Sequence, residues 1–234
     1  MIWFILSGTV ILVAYLLGSI PTGYIAVKQI KGIDIREVGS GSTGATNVLR
    51  TLGKGPGAIV LLIDCLKGVL SIHIVYWLFQ FASGQNFVPA TVNLQQWLPW
   101  MVIFTGIAAI LGHSKSVFLG FTGGKSVATS LGILFAMNWQ VGLAALGIFA
   151  VAITISRIVS LSSICGAIAT PIFMILLHQP LPYILFAVVG GLYVILRHRS
   201  NIERLLAGTE AKLGQKVELE TDEVTVSSSP NTLQ

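Results

Sequence analysis

The chain has 234 residues, 54% of them hydrophobic and only 10% charged, with a net charge of +5 and a mean hydropathy of +0.84. A soluble domain carries about 25% charged residues, so this composition excludes a water-soluble surface. Disorder needs low hydrophobicity and high charge, so it is excluded too, except locally. The composition is that of an integral membrane protein, and its basic excess reads as membrane topology rather than nucleic-acid binding.

Residues 1–27 carry no charge and lack the basic start of a cleaved signal peptide. They are expected to form a retained first helix. Pro56 suits a first helical turn and opens a second helix that runs to about Phe81. A polar stretch at 84–96 separates it from a third helix near 97–111. The stretch 126–156 fits one long tilted helix, or two short ones hinged at Met137-Asn138-Trp139-Gln140. The stretch 158–196 is too long for one span, which needs about 20 residues. His178-Gln179-Pro180-Leu181-Pro182 is a natural turn within it, because helices do not continue through closely spaced prolines.

The expected fold is therefore all-α and polytopic, with about seven transmembrane helices and five as the alternative. With the N-terminus outside, seven spans leave 28–55, 112–125, 157–161 and 197–234 inside. Those segments hold every basic residue except Lys67, as the positive-inside rule requires. A five-helix arrangement strands only Arg157 outside. The membrane domain is expected over 1–211 and a disordered, polar cytoplasmic tail over 212–234. Cys65 and Cys165 sit in apolar runs and read as packing residues.

Four features share the inner face. GSGSTGATNVLR at 39–50 combines glycines that turn backbone N–H groups toward an anion with hydroxyls, Asn47 and Arg50. GHSKSVFLGFTGGKSVAT at 112–129 contains Gly123-Gly124-Lys125-Ser126. It is not a P-loop, since that pattern needs glycine where Leu119 stands and no strand precedes it. Lysine, glycines and hydroxyls at a helix N-terminus still make a phosphate-sized site. Asp64 and Lys67 share one face of the second helix at i,i+3 and can pair. RHRSNIERLLAGTE at 197–210 follows the last helix. A basic anchor explains Arg197 and Arg199 there, but not His198, Asn201 or Glu210. His73 and His178 read as structural. Basic loops around one mouth of an apolar bundle fit a substrate with a phosphate and an apolar chain. That substrate suits a lipid-processing enzyme or, alternatively, a transporter for an anionic or phosphorylated solute.

These motifs, together with GSIPTGYI at 18–25, DCLKG at 64–68 and SRIVSLSSI at 156–164, resemble the bacterial membrane glycerol-3-phosphate acyltransferases that use acyl-phosphate, the PlsY type. They occur in the family's order over nearly the whole chain to about residue 210. The HxxxxD pair of the soluble-headed acyltransferases is not present: no histidine has an aspartate five residues on. The resemblance implies a multi-pass protein of the bacterial inner membrane with its active site facing the cytoplasm. It implies acyl transfer from acyl-phosphate to the sn-1 hydroxyl of glycerol-3-phosphate, giving lysophosphatidic acid and phosphate. It also implies an upstream enzyme that forms acyl-phosphate, and no cofactor, metal or nucleic-acid partner.

By position, the resemblance implies that Lys125, His198, Asn201 and Ser156 form the catalytic set. Ser40, Gly41, Ser42, Thr46, Asn47, Arg50, Gly123 and Gly124 would bind or shape the site for substrate phosphate, with Asp64, Lys67, His113 and Glu210 in support. The family commonly has Asn where this chain has Ser42, and Gly where it has Ser126. Acyl-phosphate already carries a good leaving group, so the protein must chiefly position and stabilise. The acceptor's own phosphate, rather than His198, is the expected base.

Overall fold

The computed structural model describes residues 1–215, and most of the expected tail, 216–234, lies outside the described residues. Ten helices are described: α1 (Ile2–Ser19), α2 (Thr22–Lys31), α3 (Ala45–Leu52), α4 (Lys54–Ala82), α5 (Leu94–Ser114), α6 (Val127–Met137), α7 (Trp139–Ser156), α8 (Val159–Leu176), α9 (Leu181–Arg197) and α10 (Arg199–Leu206). Single 3-10 turns at Ile35–Glu37 and Val117–Leu119 shape two of the loops.

Local chemistry sets the breaks. The stretch 1–27 is not one unbroken helix: α1 stops and α2 restarts at Ile20-Pro21, because proline supplies no N–H to the ladder. The two still run on closely enough to make one candidate span, Ile2–Lys31. Stretch 126–156 resolves as two helices. Asn138 ends α6, and its side chain then caps α7 by accepting from the Val141 N–H at 3.0 Å. Asn93 caps α5 in the same way, through the Gln95 and Gln96 amides. The expected turn at 178–182 falls between α8 and α9.

Among the described residues, five helical segments are long and apolar enough to cross a membrane: Ile2–Lys31, α4, α5, α7 and α8. The pair α9 and α10, bent by 60°, makes a sixth if counted as one span, and α6 is a shorter apolar helix. Their outward faces are apolar, with Ile59, Leu62, Ile63, Leu66 and Leu70 all exposed along α4. A water-soluble protein would not tolerate so long an exposed apolar stripe.

Without a hydrophobic drive between helices in lipid, close approach depends on small residues. A side chain on Gly18 of α1 would collide with the Ala109 carbonyl of α5. Gly68 and Gly132 do the same reciprocally for α4 and α6, against Thr129 and Cys65. The main core joins Trp3, Ile72, Phe79, Val102, Ile133 and Phe186. A second, smaller core of Val27, Ile35, Val48 and Val60 fixes α2 and α3 onto the start of α4. This smaller core holds the polar end of the bundle in place, where the loops converge.

Candidate active site

A cavity of about 440 Å³ opens at that end. Ser40, Ser42, Thr46, Asn47 and Arg50 come from the first loop and α3, and Lys54, Leu61 and Asp64 from α4. His113, Lys125 and Ser126 come from the end of α5 and the loop after it, Ser160 and Ser163 from α8, and His198, Asn201 and Glu210 from beyond α9. Most residues expected at the site, scattered from 40 to 210, therefore share one pocket.

Lys125 is its centre. Its ammonium donates to the Asn201 side-chain oxygen. Asn201 donates in turn to Glu210 Oε1 at 2.6 Å, Ser160 donates to the same oxygen at 2.7 Å, and Arg204 donates to Oε2 at 2.7 Å. Burial raises the Glu210 carboxyl, but the hydrogen bonds from Asn201, Ser160 and Arg204 outweigh it and hold Glu210 below the usual carboxylate range. Lys125 is lowered to about 8, chiefly by burial, with Arg204, Arg50 and Arg197 adding to the shift and Glu210 opposing it. One carboxylate therefore faces four nearby cations, and the site holds surplus positive charge.

Beside Lys125, Ser126 stands at the left-handed φ of 62° and its hydroxyl donates away to the Ile110 carbonyl, so no side chain caps α6. Ser126, Val127 and Ala128 line the pocket. The first N–H groups of an α-helix have no intrahelical partner, which places a helix N-terminus suited to an anion next to an ammonium. The left-handed angle also accounts for glycine being the commoner residue here in the resembled family.

The first loop is organised from within. Asn47 is buried, and its amide nitrogen donates to the carbonyls of Val38 at 2.9 Å, Ser42 at 3.0 Å and Ile35 at 3.3 Å, while its oxygen accepts from the Ser40 N–H. Its polar capacity is committed to the loop, so it shapes that wall of the cavity. Gly41, at φ 65°, makes the turn and lies outside the lining. Arg50 Nη2 donates to the Ala211 carbonyl at 3.2 Å, and the Leu213 N–H donates to the Arg157 carbonyl at 2.6 Å. The chain after α10 is thereby stitched across the mouth.

Five of the expected residues, Gly41, Lys67, Gly123, Gly124 and Ser156, stand outside the lining. Ser156 does not line the pocket. It is the last residue of α7, its hydroxyl donates to the Ala152 carbonyl at 2.7 Å, and it accepts from the Ile158 N–H. Ser160 and Ser163, one turn apart on α8, are the serines that face the cavity. Gly123 and Gly124 also stand outside the lining. Their missing side chains let the loop pass hard against the His113 backbone and ring, while Arg197 donates to both carbonyls. Lys67 is paired with Asp64 at 2.9 Å and donates to the Ile20 carbonyl at 3.1 Å. Asp64 also accepts from Thr22 at 2.6 Å and lies 3.7 Å from His113 Nδ1. His198 is buried with Nδ1 2.7 Å from the Val194 carbonyl. A carbonyl only accepts, so Nδ1 carries the proton and Nε2 is left with the lone pair.

An apolar cavity between α6, α7, α8 and α9 adjoins the polar one, and the two share Leu61, Val127, Ala128, Phe149 and Ser163 in their walls. The polar and the apolar cavity are therefore neighbours, side by side along a shared wall.

Residues 8–208 match the family model described as glycerol-3-phosphate acyltransferase. A glycerol-3-phosphate acyltransferase of Nostoc sp. (strain PCC 7120) is 76% identical over 221 residues, covering 94% of this chain and 98% of the relative. That of Acaryochloris marina is 57% identical over the same shares of both chains. Among solved structures, the glycerol 3-phosphate form of PlsY (YgiH), an integral membrane glycerol 3-phosphate acyltransferase, superposes with a TM-score of 0.76 at 38% identity, over 89% of this chain and 96% of that one. Its lysophosphatidic acid form gives 0.73 at 37% identity, over 89% and 95%.

Proposed function

The chain belongs to the glycerol-3-phosphate acyltransferase family, and we propose that its pocket transfers the acyl group of acyl-phosphate to the sn-1 hydroxyl of glycerol-3-phosphate. Family membership makes it an acyltransferase, which decides against the transporter reading. The observation that carries the donor assignment is the junction of the two cavities. Surplus cations and the open end of α6 meet an apolar slot at Ser163, Phe149 and Val127, which suits a molecule with phosphate directly on an acyl chain.

In this reading Lys125 and the α6 N-terminus hold one phosphate, while Arg50, Ser40, Ser42 and Thr46 hold the other. The sn-1 oxygen attacks the acyl carbon, the bond from that carbon to the phosphate oxygen breaks, and inorganic phosphate leaves. The hydroxyl proton passes to the acceptor's own phosphate. Asn201, fixed by Glu210, holds Lys125 in line and shares in stabilising the developing charge. His198 is a secondary proton acceptor, so His198→Ala is expected to lose far less activity than Lys125→Ala.

The same reading counts seven spans by adding α6 and α9 to the five long ones. It places the N-terminus outside and the pocket at the cytoplasmic face of the bacterial inner membrane. The distribution of basic residues supports this orientation, and an upstream enzyme forming acyl-phosphate supplies the donor.

The deciding assay is phosphate release from palmitoyl-phosphate by purified protein, with and without glycerol-3-phosphate. Acceptor-dependent release with lysophosphatidic acid as product is expected. Absence of release overturns the donor assignment. Labelling of cysteines introduced near positions 45 and 124 by an impermeant reagent on intact cells overturns the orientation.

A further inference from the structure

Arg197 ends α9, where a basic residue flanking a membrane helix would ordinarily turn its head to water. Its side chain turns inward instead. Nη2 donates to the carbonyl oxygens of Gly124 at 3.2 Å and Gly123 at 3.4 Å, the two residues before Lys125. From the other side, the Gly124 N–H donates to the His113 carbonyl at 3.1 Å. The glycine pair is thus held between the ends of α5 and α9. Arg197 Nε is buried and has no hydrogen-bond partner, an arrangement that costs stability and that a mere flanking charge has no reason to adopt.

We propose that Arg197 is a positioning residue for phosphate recognition: by fixing the Gly123 and Gly124 carbonyls, it sets the backbone from which Lys125 and the start of α6 face the pocket. Two consecutive glycines otherwise leave this segment with the greatest conformational freedom a backbone can have. Recognition of phosphate by an ammonium and helix N–H groups tolerates little misplacement. The inference rests on the reading that Lys125 meets a substrate phosphate.

Arg197 also acts through space. The charged and titratable groups around Lys125 are Glu210 beyond α10, Arg204 on α10, Arg50 on α3, Arg197 on α9 and His198 at the bend, with Lys54 and Asp64 of α4 and His113 of α5 in the same lining. Arg197 is one of the cations that lower Lys125, so its removal raises the pH at which Lys125 loses its proton.

The test is steady-state kinetics of the full-length enzyme in detergent, measuring released phosphate while glycerol-3-phosphate and palmitoyl-phosphate are varied separately. It compares wild type with Arg197→Gln, Arg197→Lys, Lys125→Ala and the surface control Arg199→Gln. Lys125→Ala identifies the substrate whose KM depends on that ammonium. Arg197→Gln is expected to raise the same KM by about tenfold and to move the alkaline limb of the pH profile upward. Arg197→Lys keeps the charge but not the paired donors, so it should restore the pH limb and leave KM between the two. A purely structural role would lower the amount of active enzyme, and therefore Vmax, with KM and pH limb unchanged; that result overturns the proposal. Should Arg197→Gln fail to fold, Arg197→Lys decides: a KM about threefold or more above wild type supports the proposal, and a wild-type KM overturns it. If wild type does not turn over palmitoyl-phosphate, the donor assignment fails instead. Calorimetric binding of inorganic phosphate then tests Arg197, with equal affinity in wild type and Arg197→Gln as the overturning result.

Discussion

Two groups of charge border the same pocket, one buried and one half-buried, built on opposite terms. Around Asp64 the charges balance: Lys67 pairs with it at 2.9 Å, Thr22 donates to it, and a second lysine donor goes to the Ile20 carbonyl. Both side chains are almost fully buried. Around Lys125 the charges do not balance, since Glu210 alone faces Lys125, Arg50, Arg197 and Arg204. A neutralised buried pair ties helices together, here the kink of the first span to α4. An unbalanced group facing an open cavity is completed by an anion. The difference separates architecture from chemistry within one neighbourhood.

The sharpest way to break that comparison is to unbalance the balanced pair. Lys67→Ala leaves the Asp64 charge buried and unpaired, and a loss of about 3–5 kcal/mol is expected, read as a lower melting temperature in detergent. The double replacement Asp64→Leu with Lys67→Met removes both charges and should recover most of that loss. Lys125→Ala, in contrast, should leave the melting temperature near wild type and lower kcat/KM by about 10²–10³-fold. A Lys125 variant that unfolds, or a Lys67 variant that folds normally but is inactive, reverses the assignment.

A smaller effect comes from pH. Lys125 is lowered to about 8, so it is cationic below that pH and loses its charge above it. The KM of the substrate it is proposed to hold should therefore rise above about pH 8. Lys125→Arg keeps its charge throughout and should abolish that limb. Smaller still, Ser160→Ala removes one of three donors to Glu210 and should cost activity about threefold to tenfold. Ser156→Ala should keep its activity per folded molecule within about twofold of wild type, because its hydroxyl bonds only to the Ala152 carbonyl and the Ile158 N–H, outside the lining. A reversed order of the two serine variants would restore the expectation drawn from sequence.

Much of this architecture is legible in the sequence because the bilayer leaves few options. The long uncharged runs, the hinge at Asn138 and the turn at Pro180 mark α4 to α9 to within a few residues. The short helices α2, α3 and α10 are not legible as separate elements. Each is under three turns and mixes polar with apolar residues, and each is held by the second core or the Glu210 network rather than by its own pattern. The glycine-rich loops announce the site, but not which groups face it. SRIVSLSSI offers four serines, and only the packing of α8 on α9 and α10 selects Ser160 and Ser163 over Ser156. Asn47 reads as a ligand in the motif, yet it serves the loop, because a buried amide must satisfy its own donors first. Arg197 reads as an anchor because its partners are main-chain carbonyls, which no side-chain pattern encodes.

The stitched segment beyond α10 has a practical corollary for anyone cutting or extending this polypeptide. The region matched by the family model stops at residue 208, two positions short of the carboxylate on which Asn201, Ser160 and Arg204 converge. A truncation drawn at that similarity boundary keeps every apolar span yet removes the keystone of the pocket. Affinity handles or reporter fusions at this terminus should spare everything up to Leu213, whose amide anchors the crossing to Arg157.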